Sequence, residues 1–256
     1  MLEYKANHLL RQKNRSVLVW LLGPSGPILG HSKVYLIDKE FFVAGKIADV
    51  VGLSTEQKNT LYRNGSSVFG RDEWLAFLRL FTDLTRVKNR RGVTSVGEFF
   101  HRVDALRVKS GPLAEIFEAI WLARPRIEAL RARVLGDSKM IPVLDTLTPA
   151  ILRAVEYWGE GRNPVSLVHD EQLVLTEERI DRLDEILLRQ YPPGVRLAGL
   201  KLVDSRSDSR IQVADFLAGV ARRIASEALD NRGDAELTSL LRPYVDSASI
   251  WGGGRW

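Results

Sequence analysis

Cysteine is absent from the 256 residues. That excludes disulfides and thiolate metal sites, and it fits a reducing compartment, so a cytoplasmic location is expected. Long apolar runs are absent too. The longest, Val17 to Leu22, is far below the roughly 20 residues needed to span a bilayer, and no membrane partner is expected. The opening Met-Leu-Glu-Tyr-Lys puts charge where a signal peptide requires an apolar core. Histidine is scarce, with His8, His31 and His101 scattered and His169 standing apart. No zinc spacing, Ser-His-Asp order or glycine-rich phosphate loop emerges. Six tryptophans are too dispersed to form a stacking platform for bases.

What is present is material for a sizeable core, with 45% hydrophobic and 27% charged residues. The net charge of +5 suits a polyanionic partner without requiring one. Apolar spacing predicts a helix from Ala6 to Leu22, stopped by Gly23-Pro24-Ser25-Gly26-Pro27, then a short strand from Lys33 to Ile37 and a buried helix from Phe41 to Val51. Residues 54 to 160 read as almost wholly helical. Trp74, Phe77, Leu78 and Phe81 mark one such face at i, i+3, i+4, i+7. After Pro164 the texture changes. Val165 to His169 reads as a strand, Thr176 to Gln190 as a helix with Thr176 as its N-cap, Leu200 to Val203 as a second strand, and Ser209 to Leu229 as a long serine-capped helix.

Two acids sit where an acid is awkward. Asp170 ends a strand, at the edge where open α/β sheets bind ligands, although a turn residue or cap is an equally ordinary reading. Asp215 lies within Ile211-Gln-Val-Ala-Asp-Phe-Leu-Ala-Gly219. An acid in so apolar a helix must be paired, solvent-lined or metal-bound, because an isolated buried charge is very costly. Gln212, Asp215 and Gly219 share a helical face, and Arg222 is the structural partner to weigh against a functional role. Lys88-Asn-Arg-Arg91 and the arginines at 124, 126, 131 and 133 suit either phosphate contact or solvated faces.

The chain resembles the bacterial family catalogued as domain of unknown function 3800. Four elements carry the likeness, in order. They are Glu3-Tyr-Lys5 with Leu9-Leu-Arg11, then Val34-Tyr-Leu-Ile-Asp-Lys-Glu-Phe-Phe-Val-Ala-Gly-Lys46-Ile-Ala-Asp49, then His169-Asp-Glu-Gln172, and finally Asp204-Ser205 with Ile211 to Gly219. The resemblance implies a ribonuclease-H-like α/β fold with a central mixed sheet. The family's opening Asp-Glu-Ser-Gly strand does not occur in this sequence, so the fold is expected to be N-terminally truncated and to carry a large helical insertion. Residues 1–53 and 161–230 would form the core, 54–160 the insertion and 231–256 a C-terminal helix and tail.

By the same resemblance, Glu3, Asp170 and Asp215 would be catalytic and hold Mg²⁺ or Mn²⁺. Lys5, Gln172, Gln212 and Ser205 would contact substrate. Such acids suit the task because hard divalent ions take anionic oxygens and clamp attacking and leaving oxygens in phosphodiester cleavage. The expected function is a metal-dependent, nuclease-like phosphoryl-transfer protein acting on nucleic acid, impaired because one acid is missing. The alternative is a non-catalytic module of the same fold that binds nucleic acid or protein.

Overall fold

The structure, a computed structural model, describes residues 10–86, 94–137, 140–160 and 162–252. Glu3, Lys5 and the basic run at 88–91 lie outside the described residues. The fold is mixed α/β and mostly helical. Eleven α-helices among the described residues accompany one two-stranded parallel sheet. Contacts divide the chain into two units, one from residues 1–36 and 146–249, the other from 37–145 and 250–255.

The second unit is a helical bundle of α2 (Lys39–Val51), α3 (Thr55–Phe69), α4 (Arg71–Leu84), α5 (Val96–Arg107), α6 (Ala114–Leu122) and α7 (Arg124–Gly136). Its starts are written locally. Asp38 accepts from the amides of Glu40 and Phe41 at the head of α2, and Ser54 and Gln57 close a reciprocal capping box on α3. The i, i+3, i+4, i+7 set of α4 is buried, and Trp74, Phe77 and Phe81 are fully enclosed. Gly65 of α3 is required by this packing, since a methyl group there would sit 2.6 Å from the Trp74 ring. Two arginines of α7 bond to backbone carbonyls. Arg126 donates to the Val51 carbonyl at the end of α2, and buried Arg131 donates to the carbonyls of Leu84 and Arg86, 2.7 Å each, beyond α4. Each places a cation where a helix leaves carbonyls unsatisfied.

The first unit holds α1 (Arg15–Leu22), α8 (Leu147–Trp158), α9 (Glu177–Gln190), α10 (Ser209–Leu229) and α11 (Ala235–Leu241), with strands β1 (Pro164–Asp170) and β2 (Arg196–Val203). The strands run parallel, with Leu167 opposite Leu200 and Asp170 opposite Val203. The connection through α9 is the crossover that parallel pairing demands. One sheet face carries Val165, Leu167, Leu200 and Leu202 against a core of Ile151, Leu152, Val155, Leu183 and Leu187. By strand alternation the other face carries Ser166, Val168, Asp170 and Lys201. Ser166 and Lys201 are exposed there.

Two expectations are corrected, and a third holds in position only. Lys33 to Ile37 is not a strand; Val34 bridges Val245 and Ile37 bridges Ile250 as isolated pairs. The long helix α10 is capped by Asp208, which accepts from the Arg210 amide, and not by a serine. Thr176 stands at the N-cap of α9 but makes no side-chain capping bond.

Candidate functional site

Parallel strands deliver their C-terminal ends to one edge, and here that edge presents Asp170. Its Oδ1 accepts from the Ser205 amide at 3.1 Å. The Glu171 amide meanwhile donates to the Val203 carbonyl at 3.0 Å, so backbone pairing continues just past the strand. From the other side, Gln212 reaches back from α10 and donates through Nε2 to the carbonyls of Ser205 at 3.0 Å and Arg206 at 3.3 Å. Asp170, Ser205 and Gln212, distant in sequence, are thereby tied into one hydrogen-bonded chain across the strand end, the connecting loop and the helix.

The loop between β2 and α10 is held by its own charges. Asp204 takes the Arg206 amide and guanidinium, and Asp208 takes those of Arg210. In each case the side-chain hydrogen bond from the arginine, reinforced by the backbone amide, draws the carboxyl down to about 2. Sequence reading missed this device, although the signal was there: Asp-Ser-Arg occurs twice, at 204–206 and 208–210. A carboxyl held lower when folded than its unfolded value of about 3.9 stabilises the fold above that value. The contribution is lost as pH falls from about 4 toward 2. We therefore expect the Asp204 and Asp208 carboxyl resonances to titrate near pH 2, well below free aspartate, while the start of α10 loosens over the same range. Carbon-detected NMR titration reads this directly, and midpoints near 4 would refute the pairing.

The remaining expected site residues are placed as follows. Asp215 lies one turn beyond Gln212 on the same face of α10 and is exposed. Of the outcomes foreseen for it, solvent exposure holds, and among the described residues no ion pair joins it to Arg222. Gln172 is exposed in the turn after β1, where its carbonyl accepts from Leu175. His169 places Nδ1 2.7 Å from the Asp170 carbonyl. A carbonyl only accepts, so this bond runs from Nδ1–H to that oxygen.

The divalent ions that the resemblance implies need several anionic oxygens gathered in one place. Among the described residues no group of three or more His, Asp or Glu side chains comes together in a way that could hold a metal. Asp170 already spends one oxygen on Ser205, Asp215 stands in solvent, and Glu3 lies outside the described residues. Asp170 and Asp215, the two expected ligands among the described residues, do not by themselves complete a two-ion set.

No family model, no curated protein and no solved structure matches the chain.

Proposed function

We propose that this chain is a nucleic-acid-binding protein of nuclease-like, ribonuclease-H-like build, with phosphodiester cleavage slow or absent. The observation that carries the reading is the linked set at the C-terminal edge of the parallel pair. Asp170, Ser205 and Gln212 are joined by hydrogen bonds, and Asp215 stands exposed one helical turn from Gln212. That edge is where α/β folds place ligands. Arg206 and Arg210, flanking it, are exposed at 80% and 73% of their side chains, and a phosphate backbone would compete with Asp204 and Asp208 for their guanidiniums. In this reading Asp170 and Asp215 alone would offer too few anionic oxygens for two ions, which would leave attacking and leaving oxygens poorly stabilised and cleavage slow.

The test is fluorescence anisotropy with labelled single- and double-stranded DNA and RNA across a salt series, beside a cleavage assay in Mg²⁺ and Mn²⁺. Binding should weaken steeply with salt. Replacing Arg206 and Arg210 together by glutamine should shallow the salt slope by about two counterions' worth. Asp170→Asn and Asp215→Asn should leave metal-free binding intact or tighter, because each removes a negative charge from the phosphate path. No salt-dependent binding to any of the four polymers would refute the proposal. Rapid metal-dependent cleavage untouched by either Asn variant would put the active centre elsewhere.

A further inference from the structure

A concavity opens in the first unit, formed by elements distinct from β1 and its neighbouring loop. It encloses about 700 Å³ and is lined by residues of the turn before α1, by α1 itself, and by α10 and α11. Its floor is apolar. Leu18 and Leu237 are 1% and 8% exposed, and Leu10 adds to them. Its walls carry three guanidinium groups, from Arg11, Arg15 and Arg223, and two carboxylates, from Glu227 and Asp234.

The donors and acceptors of these walls are unequally spent. Asp234 is fully engaged. Its Oδ1 accepts the amides of Glu236 and Leu237 at the start of α11, and its Oδ2 accepts Arg15. Glu227 is held by Arg223. Arg15 is divided between Asp234 and Glu236, and these two carboxylates push its pKa up. Arg223, by contrast, commits only Nε among the described residues, which leaves its two Nη groups for a ligand. Arg11 is exposed, and its guanidinium has no partner among the described residues. Gln12 adds an exposed amide at the rim. A guanidinium offers five N–H donors and no acceptor, so the unspent capacity of the cleft is donor capacity. The forked arrangement suits a planar or tetrahedral oxyanion. The volume lies within the range of ordinary small-molecule pockets, and the leucine floor calls for an apolar body.

We infer that this cleft binds a small organic oxyanion, a carboxylate or phosphate monoester carrying an apolar body, with Arg11 and Arg223 on the anionic head and Leu18 and Leu237 beneath the body. The site is independent of the Asp170 constellation, and neither reading requires the other.

The test is calorimetric titration of the full chain with phenyl phosphate, benzoate, inorganic phosphate and benzylammonium, joined by amide chemical-shift mapping of the unmodified protein. Phenyl phosphate or benzoate should saturate a single site and shift the amides of Leu18 and Leu237. Inorganic phosphate should bind more weakly than phenyl phosphate, because it lacks the apolar body. Arg11→Gln, at an exposed position with no partner among the described residues, should weaken the organic anions about tenfold, while Arg223→Lys, which keeps the charge facing Glu227 but loses the fork, should weaken them by a similar factor. Asp215→Asn should change nothing here, which separates this site from the nucleic-acid reading. The inference is overturned if neither organic anion saturates by about 10 mM, a limit corresponding to negligible affinity. It is overturned as well if benzylammonium binds equally, if inorganic phosphate binds as tightly as phenyl phosphate, or if Arg11→Gln has no effect.

Discussion

Replacing Arg153 by methionine should cost the first unit about 3–5 kcal/mol, the usual penalty for breaking a buried ion pair by deleting one partner. Arg153 on α8 donates Nε to both carboxylate oxygens of Asp246 at 3.0 Å and Nη1 to Glu156 at 2.7 Å. Asp246 is only 3% exposed, and its remaining bond, from the Ala248 amide, cannot balance a full charge. Methionine keeps most of the volume and none of the charge, leaving a carboxylate stranded in a poor solvent. Two half-buried tyrosines border the cluster. Burial, with help from Asp246 at Tyr35 and Glu156 at Tyr191, raises both hydroxyls above their ordinary value. They therefore stay protonated at neutral pH and add no further negative charge. Urea unfolding followed by circular dichroism measures the loss, and the double variant Arg153→Met with Asp246→Asn should recover most of it. A loss under about 1 kcal/mol, the worth of an exposed pair, would show that Asp246 is hydrated.

The second large effect belongs to the helical unit. Phe77→Ala should destabilise it by about 3–5 kcal/mol, the range for truncating an enclosed aromatic. Phe77 has no exposed surface. Its ring centroid lies 5.7 Å from that of Trp74, 5.6 Å from Phe99 and 5.4 Å from Phe117, so α4, α5 and α6 all meet on it. Three aromatic neighbours cannot collapse into the space without leaving their own contacts, so the cavity should persist. Val108→Ala is the matched control. That valine is 87% exposed, and its truncation should stay within about 0.5 kcal/mol. Thermal unfolding monitored by near-ultraviolet circular dichroism separates the two outcomes. Equal shifts would mean that the aromatic cluster does not carry the unit.

Much of the candidate site was legible because its clues are local. A strand ending in Asp170 and a helix with Gln212 and Asp215 on one face follow from the β-rich run and 3.6-residue spacing, whereas Gln172 and Ser205 entered only through the family resemblance. What spacing does not reveal is which atoms meet. The bond from the Ser205 amide to Asp170 spans 35 positions. The role of the paired Asp-Ser-Arg tripeptides depends on the loop conformation they themselves stabilise. The cleft that includes Arg11 and Arg223 left no sequence trace, because its lining comes from three separate stretches of chain.

By itself the sequence determined the helical periodicity of residues 54 to 160, the breaks at glycine and proline, and the two β-rich runs after Pro164. Each depends on interactions within a few residues. Only the tertiary structure decided the fate of Lys33 to Ile37, whose bridging partners are Val245 and Ile250. A strand needs a neighbour to bond with, and that neighbour lies some two hundred residues away. Tertiary structure also decided that Arg126 and Arg131 would serve as donors to the ends of other helices and that Asp215 would face water. A side chain's solvent, charge partners and free hydrogen-bonding capacity are set by what packs beside it, and distant segments supply that packing.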